Sequence, residues 1–226
     1  MQVEIRHSPA FALGRLQLAP GETVNVESGA MAMQSYGITV EAKMEGGLFS
    51  AAKRALISGD SFFMSKFTAP QQGGWVDVAP PIPGDIFAID IAPNQGLILT
   101  KGVWLASDLG VTLDAKFGNS GAFFGGEGLF LVKATGQGKV VLTAYGALDI
   151  HSLKAGEGFT VDTGHLVAYE EGVQVKARKI SSGLMNTLKS GEGIVMDLMG
   201  PGDVITQSRN PAAFGSWVAS LIPASR

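Results

Sequence analysis

Apolar and polar residues alternate in short runs along most of this chain, and the runs recur in three kinds. Gly21 to Glu27, Gly84 to Asp90 and Gly156 to Asp162 each open on a glycine and an acid, alternate, and close on an acid. Ile38 to Lys43, Val111 to Lys116 and Val173 to Arg178 form a second trio. Gly59 to Met64, Gly126 to Leu131 and Gly191 to Met196 form a third. The order is the same each time, and the third trio returns about every 65 residues, a self-similarity that constrains the fold before any other feature. Between the first and third copies one constant offset aligns Ala12-Leu13, Gly21-Glu22 and Val26 with Ala147-Leu148, Gly156-Glu157 and Val161.

A period of two sends apolar side chains to one face of a strand and polar ones to the other. Each copy therefore predicts about four to six short strands, the signature of an all-β sandwich or barrel. Phe62-Phe63-Met64 and Leu129 to Val132 run apolar without a break, which predicts strands buried on both faces. Gly136-Gln137-Gly138 and Gly200-Pro201-Gly202 predict hairpin turns. Helical spacing is rare. Gly46 to Ile57 places Leu48, Ala51, Ala52 and Ala55 on one helical face, and Ser182 to Lys189 predicts a helical turn at the matching place in copy three. In copy two, Gly118 to Gly126 is too glycine-rich for a helix. The tail from Pro211 to Leu221 predicts a short helix that lays Phe214, Trp217, Val218 and Leu221 against the body.

The expected architecture is all-β. Three internal repeats (about 1–78, 79–146 and 147–210) and a tail (211–226) form a single domain with one or two short helices. A unit of about 65 residues without a helix to cover its sheet is too small to stand alone, so the repeats are expected to share one core. The 226 residues are 46% hydrophobic and 16% charged, in keeping with a buried core. The chain has no cysteine, which excludes disulfides, thiolate catalysis and Cys-ligated metal and fits a reducing compartment. Residues 1–10 lack a basic start followed by an apolar run, so no secretory signal is read, and a cytoplasmic protein is expected. The net charge of −3 argues against a nucleic-acid footprint.

Chemistry is scarce. His7, His151 and His165 stand at no metal-ligand spacing and read as surface or strand positions. Glu22, Asp85 and Glu157 follow turn glycines, where a carboxylate caps turn amides; a threefold carboxylate ring holding a cation is the weaker reading. Asp60, Glu127 and Glu192 read the same way. No phosphate loop or nucleophile elbow is present. No catalytic, cofactor-binding or metal-ligating residue is assigned, and an enzyme is not expected.

One feature does recur at the matching connection of each copy: a glycine and two adjacent apolar residues. Leu48-Phe49, Phe123-Phe124 and Leu184-Met185 either plug the ends of the core or form an interaction rim, to which Trp217 and Leu221 would add.

Gly46-Gly47-Leu48-Phe49, Lys53-Arg54, Gly59 to Met64, Phe67-Thr68, Gly125 to Leu131, Gly136 to Gly138 and Gln207 to Asn210 together resemble the family named for tryptophan-RNA-binding-attenuator-like (TRAP-like) structure. That family includes uncharacterised bacterial proteins and is related to a mitochondrial inner-membrane biogenesis protein linked to cristae organisation. The resemblance covers nearly the whole chain. It implies sandwich or jelly-roll-like units about an internal pseudo-threefold axis and brings no catalytic residue. The expected function is a non-enzymatic structural or protein-interaction module, self-associating or binding a protein partner, with peripheral membrane contact as a variant. The alternative is a small-ligand module with a pocket near the internal axis. No cofactor is expected.

Overall fold

The computed structural model describes residues 1–44, 63–117, 130–179 and 194–222. Among the described residues it is nearly all β, with 61% strand. After β1 (Gln2–Arg6), the strands fall into three sets of six. The first holds β2 (Leu13–Leu18), β3 (Thr23–Glu27), β4 (Met31–Gln34), β5 (Thr39–Met44), β6 (Phe63–Thr68) and β7 (Gly74–Val78). The second holds β8 (Gly84–Ile91), β9 (Leu97–Thr100), β10 (Trp104–Asp108), β11 (Val111–Phe117), β12 (Phe130–Gly136) and β13 (Gly138–Tyr145). The third holds β14 (Leu148–Leu153), β15 (Gly158–Asp162), β16 (Leu166–Glu170), β17 (Gln174–Lys179), β18 (Ile194–Met199) and β19 (Gly202–Gln207). One helix, α1 (Pro211–Leu221), follows.

Naming the six positions a to f, every set pairs its strands alike. Strand f lies between c and a, and strand e lies between b and d. Copies are then joined b to c. β3 pairs with β10, and β9 pairs with β16, which builds the sheets β5-β6-β3-β10-β13-β8 and β11-β12-β9-β16-β19-β14. The register repeats as well. The c strands carry a bulge at one shared position, between Met31 and Met33, Trp104 and Ala106, and Leu166 and Ala168. Two smaller sheets complete the set, β1-β2-β7-β4 and β15-β18-β17.

The chain groups into two compact units. One comprises residues 1–94, 102–112 and 135–143; the other comprises 95–101, 113–134 and 144–226. The first contains an apolar cluster around Leu16, Val24, Val26, Val76, Val78, Leu105 and Val141. The second contains one around Leu166, Tyr169, Val173, Met196, Leu198 and Val204.

Of the third sequence trio, Phe63-Met64, Phe130-Leu131 and Ile194 to Met196 are described. Where they are described, the second and third trios keep to one strand position each, d for the second and e for the third. The first does not. Gly21 to Glu27 and Gly156 to Asp162 are b strands, whereas Gly84 to Asp90 is the a strand β8; the b strand of copy two is β9. A glycine, an acid and four alternating residues describe any strand leaving a turn, so the pattern identified a strand without fixing which one. The unbroken apolar runs expected to be buried, Phe62 to Met64 and Leu129 to Val132, lie largely outside the described residues, and continuous burial is seen on other strands. Trp104 to Ser107, Leu166 to Tyr169 and Val140 to Ala144, on strands c and f, are buried residue after residue. These strands have a neighbour on both sides of their sheet, and the run of buried residues shows that both faces are covered. The expected hairpins at 136–138 and 200–202 are present. At the first, Gly136 has φ of 105°, and an added Cβ would collide with the Gly110 carbonyl.

The expected helices at 46–57 and 182–189 and the glycine-rich 118–126 segment lie outside the described residues. The tail helix forms as expected. Asn210 accepts hydrogen bonds from the Ala212 and Ala213 amides, and Pro211 occupies the first turn, where its missing N–H costs nothing. Its apolar side chains, however, are not packed away, and α1 contains no buried residue.

Candidate functional site

The turn acids behave as local caps. Glu22 accepts from the Ala19 amide at 2.8 Å, and Glu157, at the same place in copy three, accepts from the Lys154 amide at 2.9 Å. Asp85 accepts from the Ile86 amide and from the Ser8 hydroxyl. Among the closing acids, Asp90 holds Lys139 and Asp162 accepts from the Gly164 amide. Among the described residues no group of three His, Asp or Glu side chains is placed to hold a metal ion. Asp60, Glu127 and Glu192 lie outside the described residues.

Two of the three histidines have neutral partners. His151 Nε2 meets the Thr206 hydroxyl at 3.0 Å and its ring tilts against Phe159. His165 Nδ1 lies 2.7 Å from the Gln207 carbonyl, to which it donates, since a carbonyl only accepts. His7 is exposed, at positive φ.

Three features that pattern reading missed, or placed wrongly, stand out. The first is a buried carboxylate. Asp77 on β7 is fully buried and takes Arg6 Nη2 at 2.6 Å and Arg15 Nε and Nη2 at 2.7 and 2.9 Å, while the Arg15 guanidinium lies 3.8 Å from the Trp75 ring centre. Burial pushes the Asp77 pKa up, but the Arg15 and Arg6 hydrogen bonds outweigh it and hold the carboxyl below its ordinary value. Asp77 sits beside valines on a strand, so its sequence context reads as core, and only the β1-β2-β7 pairing brings the two arginines to it.

The second is Glu27. It closes β3 at the mouth of a cleft of about 440 Å³ walled by Ser28, Ala30, Met31, Pro80 and Pro81. Burial raises its pKa to about 7. Perturbed acids in clefts are often functional, yet among the described residues no second acid or base lines the cleft.

The third is unpaired apolar surface. β4 ends its sheet with Met31 and Met33 41% and 48% exposed. On α1, Phe214 is 37%, Trp217 59% and Leu221 63% exposed. Phe214 stacks at a tilt between Tyr145 and Trp217, with ring centres 5.4 and 6.0 Å away, and this is the helix's ring contact with the strands. Of the rim expected from sequence, Trp217 and Leu221 are thus exposed together on one helix. Leu48, Phe49, Phe123, Phe124, Leu184 and Met185 lie outside the described residues.

Residues 3–209 match the family described as mitochondrial biogenesis AIM24. The chain belongs to that family. An uncharacterised protein of Streptococcus pyogenes serotype M6 is 28% identical over the whole chain and 92% of its own length. An X-ray structure of a protein from Streptococcus pyogenes superposes with a TM-score of 0.81 at 26% identity, covering 98% of this chain and 99% of that one. Helix α1 lies beyond the stretch that matches the AIM24 pattern. Among the described residues no helix is long and apolar enough to cross a membrane.

Proposed function

We propose that this AIM24-family protein is a non-catalytic interaction module that docks helix α1 into an apolar groove of a partner protein. The observation that carries this reading is α1 itself: eleven residues without a charge, Trp217 and Leu221 well exposed, and no residue buried. A helix apolar around most of its circumference belongs under cover, and short apolar helices are read by grooves through anchors at helical spacing. A protein partner fits better than a lipid surface. Helices that lie on membranes carry a basic face, whereas α1 has no lysine or arginine and the chain is net acidic. The absence of cysteine supports a reducing, cytoplasmic setting. The recurring six-strand scheme also supports the finer likeness to attenuator-like folds, without carrying over RNA binding to an acidic chain.

The test places a photo-crosslinking residue at Trp217, and at the exposed Phe11 as control, in the native host. A discrete protein adduct at 217, absent at 11 and lost with Leu221→Ser, supports the reading. Flotation of the purified protein with phosphatidylcholine–phosphatidylglycerol vesicles, abolished by Trp217→Ala, replaces it with a membrane role. A small-ligand role is the second reading, favoured by Glu27 in its cleft; a small mass retained in native mass spectrometry and lost with Glu27→Gln would support it.

A further inference from the structure

The b-to-c junction between copies is made twice, and the chain holds the two halves of a third. β4 is the c strand of copy one and ends the sheet β1-β2-β7-β4. β15 is the b strand of copy three and ends the sheet β15-β18-β17. Among the described residues each chain thus presents one c edge and one b edge, the two kinds of strand that pair elsewhere in the same fold. An unpaired edge is a row of free donors and acceptors ready to template another strand.

We infer that β15 of one chain pairs antiparallel with β4 of a second copy, so that the molecules join head to tail. The two existing junctions fix the register. Val26 faces Ala106 and Asn25 faces Ser107 in one; Leu99 faces Ala168 and Ile98 faces Tyr169 in the other. Ala106, Ala168 and Met33 stand at one c position, because they face Val141, Ile205 and Asp77, each the fourth residue of its f strand. Val26 and Val161 stand at one b position, because they face Ser65 and Met196 at matching places on e. The third junction therefore sets Val161 against Met33, Thr160 against Gln34 and Phe159 against Ser35.

Exposure supports the assignment. Val26, Leu99, Ala106 and Ala168 are fully buried at the junctions already made. Their counterparts are not: Met33 is 48% exposed, Thr160 is exposed, and Phe159 and Val161 are half-buried. β4 also lacks the devices that blunt an edge, having no lysine, no proline and two methionines. Charge does not oppose the pairing, since neither β4 nor residues 158–161 of β15 carry a charged side chain; only Asp162 at the strand end does. A b edge meeting a c edge is a heterologous contact, which leaves a new b and a new c edge at the ends of each complex. It produces rings when the rotation closes and open chains of molecules when it does not. This association uses neither α1 nor its partner, so it stands or falls independently of the proposed function.

The cysteine-free sequence makes the test direct. Met33→Cys and Val161→Cys single variants are prepared in the full chain, checked for native circular dichroism, and treated with a short bis-maleimide. The expected result is a linked dimer when the two variants are mixed, none with either alone, and a ladder of multimers from the double variant. Light scattering of the unsubstituted protein should show mass rising with concentration, and Met33→Lys should return it to the single-chain value with native circular dichroism. Self-linkage of one single variant, linkage only within single chains, absence of any linkage, or a Met33→Lys protein that keeps its assembled mass would each overturn the inference.

Discussion

The same strand position lives in two environments in this molecule. Ala106 and Ala168, where copies are joined, are fully buried, with a b strand on one side and an f strand on the other. Met33, the equivalent residue of copy one, has its f strand but no b strand, and stays half-exposed. The difference teaches that one internal pairing scheme recurs in all three sets, whereas the junctions between sets depend on which neighbour is present.

Charge at this position should separate the two environments most sharply. Ala106→Lys or Ala168→Lys places an ammonium without a partner in a fully buried site, at an expected cost of about 4 kcal/mol or more, enough to unfold a marginal domain. Met33→Lys should stay within about 0.5 kcal/mol in monomeric protein, as surface substitutions do. Urea denaturation of the three variants measures this. Equal costs would mean that the β4 edge is covered in the isolated chain and that the comparison does not hold.

The next effect lies one strand away, on the f strand that supports β4. Asp77→Asn removes the negative charge that Arg6 and Arg15 share. Breaking a buried pair from one side costs about 3 kcal/mol. The same pair sets an acid limit. The folded-state pKa of Asp77 is lowered, so its contribution is fully present above the ordinary aspartate value and is lost as pH falls through the depressed one. Stability measured between pH 5 and 2 should therefore drop in the unsubstituted protein by more than in Asp77→Asn. Asp197 offers the contrast: it also takes Arg178 through two hydrogen bonds, but in solvent, and its replacement should leave the denaturation midpoint almost unmoved.

Much of the fold was legible from side-chain alternation. Strands d and e, the 136–138 and 200–202 hairpins and α1 follow from local chemistry: period two, turn glycines, and Asn210 with Pro211 at a helix start. What escaped depends on pairing across distance. Gly84 to Asp90 has the local pattern of a b strand and is an a strand, because position in a sheet is set by neighbours and not by alternation. Asp77 was illegible for the same reason, its two arginines lying 62 and 71 residues away in sequence. The tail helix was readable and its burial was not; apolar residues at helical spacing imply a cover without saying whether the cover belongs to the same chain.

The smallest effect concerns Glu27, the residue after Val26 on β3. Its counterpart on β9 is Thr100, whose hydroxyl donates to the Leu166 and Val167 carbonyls of the adjoining c strand at 3.0 Å each. A protonated carboxyl is likewise a donor, and an ionised one only accepts. With its pKa raised to about 7 by burial, Glu27 favours the folded state in its protonated form. That contribution is fully present below the ordinary glutamate pKa of about 4.5 and is lost as pH rises to about 7, beyond which it changes no further. Glu27→Gln, a donor at every pH, should match the unsubstituted protein near pH 4. At pH 8 it should be more stable by about 1 kcal/mol, the full linkage value being reduced because the carboxyl is partly open to solvent. Melting temperatures of the two proteins across pH 4 to 8 decide the matter. Parallel curves would show that Glu27 titrates alike in the folded and unfolded chain, and that its position at the β3 terminus is open to solvent and not lined with acceptors like that of Thr100.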